Sequence, residues 1–355
     1  MRDPASTLAE ESPAALLRLC PAYALTPLIA LPRLAAALGV AGVLVKDEGR
    51  RPLGSFKALG GVYAALRALA RAAGVPAASL LEKGRDALPL PALVCASDGN
   101  HGLAVAAAAR LAGTRARVFL PAIVPAARAA RIAAQGGEIV RIAGTYDEAV
   151  RAAAQAERER GDLLIADTSE DENDPVVADV MAGYQIVADE IRAQLSEGAH
   201  VAPTHLFVQA GVGGLAAGLA AALAPPRRIV AVEPTGAACV GAALAARRVV
   251  ALSGDLHTAA DMLSCGEASA PALAILLRHE AAAIAVSEDG LLAAPDFLVG
   301  HGGPRTTPSG AAGLAGLRAA LAEPALAGRL DLTRESRVLL IATESSSPDP
   351  EPSCV

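Results

Sequence analysis

The chain has 355 residues, more than one average domain of about 150 residues, which favours two compact lobes. Hydrophobic residues make up 53% of the chain and charged residues 19%, a balance that excludes a disordered protein. Aromatic residues make up only 2% and the formal net charge is -6. Because nucleic-acid binding depends on clustered Lys and Arg and on stacking aromatic rings, a DNA or RNA partner is not expected.

The sequence also predicts the compartment. The five cysteines are widely spaced and form no Cys-x-x-Cys pair, which argues against a disulfide framework or a zinc site and favours the cytoplasm. The six histidines lack metal-ligand spacing, so we expect no metal. Residues 206–226 carry no charge and could cross a bilayer by length alone, but their four glycines indicate a buried strand followed by a turn. We therefore expect no membrane partner.

Short apolar runs alternate with alanine-rich segments, a pattern typical of parallel strands joined by crossover helices. The predicted strands, in chain order, are residues 42–46, 92–96, 117–120, 138–142, 163–166, 205–209, 228–233 and 338–343. The predicted helices, rich in the best helix former, are residues 58–72, 102–112, 125–135, 146–160, 176–195 and 215–223. The pattern predicts an α/β fold with an exposed connection at 81–91 and a disordered tail at 345–355.

Four polar segments follow predicted strands, at the ends where open α/β sheets bind their ligands. The first ends in Gly54-Ser-Phe-Lys57, at the start of a predicted helix. The 31 basic residues include only three lysines, Lys46, Lys57 and Lys83. The positive end of the helix dipole disfavours an ammonium group, so Lys57 is predicted to supply a neutral amine that can condense with an aldehyde. The alternative is an ordinary solvated lysine.

The second segment is Ser97-Asp-Gly-Asn-His-Gly102, between a predicted strand and a predicted helix. Asn100 can donate and accept hydrogen bonds, and Asp98 can act as an acid or a base. The glycines allow the backbone to approach a ligand closely. The segment is predicted to be a ligand loop, although Asp-Gly-Asn is also an ordinary turn signal.

The third segment is a glycine turn between a strand and a helix, where free N–H groups and the helix dipole favour a phosphate. Its residues are Gly211, Val212, Gly213, Gly214 and Leu215. The spacing Gly211-x-Gly213-x-x-Ala216, with Glu233 ending the next strand, also fits a dinucleotide fingerprint. The fourth segment is a buried strand that ends in Thr343, a weak signal by itself.

Taken in this order, the segments resemble the fold type II family of pyridoxal-phosphate enzymes, the tryptophan synthase β-like group that includes threonine and serine dehydratases. Residues 54–57 resemble the family's Schiff-base segment, 97–102 its asparagine loop, 211–215 its phosphate loop and 308–313 a further dehydratase segment. The resemblance covers nearly the whole chain. The dinucleotide interpretation explains only the third segment, so we prefer the pyridoxal-phosphate family.

The resemblance implies pyridoxal 5'-phosphate as cofactor and a role for each matching residue. Lys57 would hold the cofactor and move a proton at the α-carbon, and Phe56 would pack beside the ring. Asn100 would bond the ring hydroxyl, residues 211–215 the phosphate, and the Thr343 hydroxyl would face the pyridine nitrogen. The substrate would contact Ser97, Asp98 and His101.

Within the family the chain most resembles the 2,3-diaminopropionate ammonia-lyases, which remove ammonia by α,β-elimination and give pyruvate. The matching residues are Asp98-Gly-Asn-His-Gly102, Asp167-Thr168, Met181-Ala-Gly-Tyr184, Ser264-Cys-Gly-Glu267 and Thr343-Glu344. The resemblance implies that Asp98 and Asp167 are acids or bases at the reacting carbons. The chain departs from the family at Thr307-Pro308, where a Glu is common, and at Ser345, where the lyases have Gly. The alternatives are a threonine or serine dehydratase, a β-substitution enzyme, a nicotinamide-dependent oxidoreductase and a non-catalytic binding module.

The resemblance also implies the architecture. We expect two open, twisted, parallel-sheet lobes with the active site in the cleft. The small α/β domain would be an insertion of residues 58–171, and the large cofactor-binding domain would comprise residues 1–57 and 172–355. A homodimer acting on a small amino-acid substrate is expected.

Overall fold

The computed structural model describes residues 12–21, 23–82, 88–97, 99–122, 124–144, 146–198, 200–223, 226 and 228–346. Residues 83–87 of the predicted connection at 81–91 and residues 347–355 of the predicted tail at 345–355 lie outside the described residues. The described chain divides into two units. Unit 1 comprises Met1–Ala24, Lys57–Asp167 and Asp174–Ile186, and unit 2 comprises Leu25–Phe56, Thr168–Asn173 and Val187–Val355. The predicted domain boundaries at 58–171 stay a prediction.

Helices and strands alternate along the described residues. The strands are β1 Leu28–Ala30, β2 Gly42–Asp47, β3 Leu93–Ala96, β4 Ala116–Pro121, β5 Gly137–Ile142, β6 Leu163–Leu164, β7 His205–Gln209, β8 Arg228–Pro234, β9 Ala282–Val286 and β10 Arg337–Ala342. The α-helices are α1 Pro13–Arg18, α2 Pro32–Leu38, α3 Lys57–Ala73, α4 Asn100–Ala112, α5 Ala126–Ala134, α6 Tyr146–Arg160, α7 Pro175–Glu197, α8 Gly214–Ala222, α9 Cys239–Ala246, α10 Ala270–Arg278, α11 Glu288–Gly300, α12 Ala312–Ala322 and α13 Pro324–Arg329.

Unit 1 contains a four-stranded sheet in the order β5-β4-β3-β6, in which every neighbouring pair is parallel. One hydrophobic cluster of this unit joins Val94 of β3 and Phe119 of β4 to Ala149 and Ala153 of α6. Parallel strands are joined by crossover helices that cover the sheet, which explains their continuous apolar sequences. The carboxyl ends of β3 and β6, neighbours in this sheet, therefore carry the two polar segments of unit 1.

Unit 2 contains a six-stranded sheet in the order β1-β2-β10-β7-β8-β9. Only β1 runs antiparallel to its neighbour, and the other strands are parallel. Buried side chains of β2, β7, β8 and β10 pack against α2, α11 and α12 to form its core. The predicted α/β class with parallel sheets is confirmed.

The predicted strands and helices all form, with shifted ends. Strand β6 stops at Leu164, and β10 stops before Thr343, which follows the strand. Strands β1 and β9 are not among the predicted strands. Strand β1 has only three residues, and β9 has the alanine-rich sequence Ala-Ala-Ile-Ala-Val, whose intrinsic preference for a helix is overridden by its pairing with β8.

Four buried charged side chains form an ion cluster where β2 of unit 2 ends. Lys46 Nζ lies 2.6 Å from Glu190 Oε2, and Arg51 lies 2.6 Å from Glu48 and 2.8 Å from Glu190. Two cations therefore face two anions, a balance that buried charges require. The cluster fixes the segment that leads towards Phe56.

Close helix packing in unit 1 depends on glycine. A Cβ added at Gly60 of α3 would lie 2.6 Å from the Val180 carbonyl oxygen and would overlap the Tyr184 ring. A Cβ at Gly183 of α7 would lie 2.7 Å from Gly60 Cα. The two glycines let α3 and the first part of α7 approach closely, which brings Tyr184 to the start of α3.

We predict that Gly60→Ala lowers the free energy of unfolding by about 1–3 kcal/mol, because the new methyl group overpacks this helix contact. Urea unfolding followed by circular dichroism measures the change. Gly328→Ala is the control, since nothing lies within 4 Å of a Cβ there. Equal stabilities of the two variants would contradict the prediction.

Candidate active site

An ion pair between Lys57 and Asp167 lies in unit 1. Lys57 is the first residue of α3, and Asp167 follows shortly after β6. Lys57 Nζ lies 2.5 Å from Asp167 Oδ2, and the two side chains are 21% and 16% exposed. The fold thus brings together two predicted catalytic residues that are 110 positions apart in the sequence.

Each member of this pair changes the pKa of the other. Burial alone would lower the pKa of Lys57, but attraction to Asp167 and contact with Tyr184 outweigh burial and raise it. Burial alone would raise the pKa of Asp167, but the ammonium charge of Lys57 lowers it. The uncondensed lysine is therefore protonated at neutral pH. The prediction of a neutral amine is wrong, because the helix dipole is weaker than an adjacent carboxylate.

Tyr184 of α7 completes the surroundings of the lysine. Lys57 Nζ lies 5.9 Å from the centre of the Tyr184 ring. Burial raises the pKa of the Tyr184 phenol to about 12, so the hydroxyl stays protonated. In the sequence Tyr184 stands out only as part of a short matching segment, and nothing there predicts its contact with the lysine.

Ser97 organises the asparagine loop. Its Oγ accepts hydrogen bonds from the Gly99 and Gly102 N–H groups at 3.1 and 2.9 Å. These bonds satisfy donors at the start of α4, which begins at Asn100. The predicted acid or base Asp98 lies outside the described residues.

His101 connects this loop to the segment that carries Asp167. Its Nε2 lies 2.8 Å from the Ile165 carbonyl oxygen, which can only accept, so we assign the proton to Nε2. Burial lowers the pKa of His101 and keeps the ring neutral. Its Nδ1 has no hydrogen-bond partner within the described ranges. His101 is thus placed near the ion pair.

The glycine loop of unit 2 presents unpaired backbone donors. Gly213 directly precedes α8, has a left-handed φ of 95° and provides no capping side chain. Among the described residues, the N–H groups of residues 211–215 donate no hydrogen bond. The Val212 carbonyl is bonded by the Ser269 N–H and fixes the loop. A dianionic phosphate satisfies such donors at a helix start.

Glu233 decides against the dinucleotide interpretation. Its two carboxylate oxygens accept hydrogen bonds from the Val240 and Gly241 N–H groups, at 2.7 and 2.8 Å. The side chain thereby caps α9 and has no accessible surface. A ribose-binding acid must face the ligand, and Glu233 faces a helix start instead.

Thr343 lies directly after β10, and its backbone pairs with the segment before Lys57. The Phe56 N–H donates to the Thr343 carbonyl oxygen at 3.1 Å, and the Ser345 N–H donates to the Gly54 carbonyl oxygen at 2.9 Å. The Thr343 hydroxyl accepts from Gln209 at 2.9 Å. For its own proton, the described part of the chain offers no acceptor. A ring nitrogen with a lone pair would be a suitable acceptor.

A profile of the family described as "Pyridoxal-phosphate dependent enzyme" matches residues 19–344. The chain belongs to this family. Members of the pyridoxal-phosphate dependent family use that cofactor, and the groups of each unit fit it. Unit 1 has a lysine amine. Unit 2 has a glycine loop and a buried hydroxyl whose protons find no acceptor among the described residues. The expected fold type II architecture and cofactor are confirmed.

Diaminopropionate ammonia-lyases recur among the family members that are similar to this chain. The chain is 33% identical to diaminopropionate ammonia-lyase of Salmonella typhimurium, over 93% of this chain and 87% of that protein. The structure of holo diaminopropionate ammonia lyase from Escherichia coli matches with a TM-score of 0.82 at 30% identity, covering 95% of this chain and 90% of the other. The structure of a threonine deaminase from T.th. also matches, with a TM-score of 0.76 at 28% identity, covering 94% of this chain and 97% of the other.

Two further observations concern the described ranges alone. They contain no group of three or more His, Cys, Asp or Glu side chains arranged to hold a metal ion. In the same residues, no helix combines the length and apolar character needed to cross a membrane.

We predict that Asp167→Asn lowers the pKa of Lys57, because removal of the carboxylate leaves burial as the dominant effect. The pH at which the apo-protein captures pyridoxal phosphate at half its maximal rate should fall by about one unit or more. Stopped-flow absorbance measures the rate. Asp179→Asn, which removes the partner of Arg71 at 2.6 Å in the same unit, is the matched control and should leave the midpoint unchanged. An unchanged midpoint in Asp167→Asn would contradict the assignment.

A second prediction concerns Glu233, whose pKa burial raises to about 7 from an ordinary 4.5. Because the folded state binds this proton more tightly, the contribution to stability is full below about pH 4.5 and is lost as pH rises through about 7. The lost free energy is on the order of 3 kcal/mol. Relative to Glu233→Gln, the wild type should lose stability over this interval. Urea unfolding measures the free energy of unfolding of both proteins at each pH. The prediction is contradicted if the two free energies change with pH in parallel.

Proposed function

We propose that this protein is a carbon-nitrogen lyase that eliminates ammonia from 2,3-diaminopropionate and yields pyruvate and ammonia. The observation that carries the proposal is the Asp167 carboxylate 2.5 Å from the amine of Lys57. This carboxylate lies in a chain that is 33% identical, over 93% of its length, to a diaminopropionate ammonia-lyase. A carboxylate at the lysine suits a substrate that carries a second ammonium group.

The cofactor would be held by residues from several segments. Bound pyridoxal phosphate supplies an electron sink for negative charge at the α-carbon of an amino acid. Lys57 would provide the amine that holds it, and Phe56 would pack beside the ring. Asn100 would bond the ring hydroxyl, and Thr343 would donate to the ring nitrogen. The phosphate would bind the backbone N–H groups of residues 211–215.

Asp167 would interact with the β-amino group that leaves as ammonia. The Asp167 carboxylate would attract the β-ammonium group of a bound diaminopropionate. It would also be placed to manage the proton of the departing amine. Lys57 would move the proton at the α-carbon, and Asp98 would act as a second base. Ser97 and His101 would shape the substrate site.

The second candidate is elimination of a hydroxyl group from threonine or serine. It is favoured by the 33% identity to L-threonine dehydratase of Corynebacterium glutamicum, which covers 64% of this chain. A hydroxyl leaving group carries no charge, so serine and threonine offer no β-ammonium group for the Asp167 carboxylate to attract. We therefore place it second.

Oligomeric state, location and domain limits are further parts of the proposal. We propose a homodimer in the cytoplasm, with the inserted domain at residues 58–171. Light scattering of the purified holoenzyme measures the dimer mass, and a monomer would contradict that part alone.

The deciding assay compares pyruvate and ammonia release from both enantiomers of 2,3-diaminopropionate with release from serine and threonine. We expect diaminopropionate to be the best substrate. Asp167→Asn and Asp98→Asn should lower its turnover by about 10²–10⁴-fold, the usual contribution of a positioned acid or base. Asp179→Asn should retain full activity.

Two results would overturn the lyase assignment. One is a higher kcat/KM for serine or threonine than for either diaminopropionate enantiomer. The other is full diaminopropionate activity in both Asn variants. Neither result would affect the assignment of the chain to the pyridoxal-phosphate dependent family.

A further inference from the structure

Gln209, the last residue of β7, joins three parts of unit 2 through one amide group. Its Nε2 lies 2.8 Å from the Gly310 carbonyl oxygen, 3.0 Å from the Ile341 carbonyl oxygen and 2.9 Å from Thr343 Oγ1. The side chain is buried, with the residue 4% exposed. The glycine loop begins immediately after it.

The orientation of this amide is fixed by its neighbours. Carbonyl oxygens only accept hydrogen bonds, so Nε2 must face Gly310 and Ile341. A flipped amide would place Oε1 about 3 Å from both oxygens, where like partial charges repel. In the observed orientation Oε1 has no donor among the residues that the structure describes. A buried acceptor without a donor costs stability.

The fixed amide determines how the Thr343 hydroxyl can bond. An amide nitrogen cannot accept, so Thr343 Oγ1 is the acceptor in its contact with Gln209. It shares, in a three-centre bond, one of the two Nε2 protons that also serve Gly310 and Ile341. The hydroxyl proton is then directed away from Gln209. Thr343 is 4% exposed. Within the described part of the chain, nothing else accepts that proton.

We propose that Gln209 is a positioning residue that holds the Thr343 hydroxyl as a hydrogen-bond donor towards the pyridine nitrogen of the cofactor. The inference rests on the proposed function in one respect, namely that Thr343 faces that nitrogen. A hydroxyl held as a donor keeps the nitrogen unprotonated, whereas a freely rotating hydroxyl could also accept from a protonated ring. Gln209 thus acts on the cofactor through Thr343.

If Gln209 had a purely structural role, removal of its amide would have a different effect. If the amide only ties β10 to the turn at Gly310, its removal weakens the protein whether or not residue 343 has a hydroxyl. If it acts through Thr343, its effect on the cofactor disappears once that hydroxyl is gone. A double-mutant cycle separates the two roles.

The experiment titrates four apo-proteins with pyridoxal phosphate and measures Kd from the absorbance of the bound cofactor. The proteins are the wild type, Gln209→Met, Thr343→Val and the double variant. Gln209→Met should raise Kd about fivefold, the value of one ordinary hydrogen bond. The double variant should match Thr343→Val alone. In a Thr343→Ser background, which keeps the hydroxyl, Gln209→Met should again raise Kd.

Two outcomes overturn the proposal: an unchanged Kd in Gln209→Met, or a double variant whose Kd rises by the product of the two single effects. If circular dichroism shows that Gln209→Met does not fold, Gln209→Leu takes its place in the same cycle with the same expected pattern. The titrations use no substrate. If Gln209 and Thr343 are coupled in Kd but diaminopropionate is not turned over, the proposed function alone is contradicted. If diaminopropionate is turned over but the two residues are not coupled in Kd, this inference alone is contradicted.

Discussion

Parallel pairing of β2, β10 and β7 is the constraint on which the chemistry of unit 2 depends. Adjacent parallel strands end at the same edge of a sheet, so whatever follows each strand gathers there. Gln209 ends β7, and Thr343 follows β10. The segment after β2 pairs with residues 343–345 through its backbone. One register thereby sets the glycine loop, the buried hydroxyl and the approach to Lys57.

The same principle operates in unit 1 with different residues. Strands β3 and β6 are parallel neighbours, and the asparagine loop and Asp167 follow them. His101 fastens one segment to the other through the Ile165 carbonyl oxygen. The sheet brings the backbones close, and a single side-chain hydrogen bond defines their relative position. Asp167 then reaches Lys57 because α3 packs against α7 and α4 through glycine contacts.

The sequence was sufficient for strands and turns whose signal is local. Apolar runs predict the strands and the glycines predict the turn between β7 and α8, because the same few residues carry the signal and form the feature. Phosphate binding by that turn stays a prediction. The sequence was insufficient to predict the contacts of Glu233, Tyr184 and Gln209, because their partners lie far away in the sequence or on another element. Gln209 did give a signal, a polar residue closing an apolar strand, but its meaning depends on acceptors more than 100 positions away. The charge of Lys57 was mispredicted for the same reason.

The ion cluster at the end of β2 limits how this chain can change over evolutionary time. Lys46, Arg51 and Glu190 share partners, so loss of one charge leaves another buried and uncompensated, at about 3–5 kcal/mol. That is a large fraction of the stability of a typical domain. We therefore expect a single replacement to be tolerated poorly, whereas a joint conversion of all four residues to apolar side chains would leave no uncompensated charge. The four positions are constrained as one unit, although they lie in two distant segments of the chain.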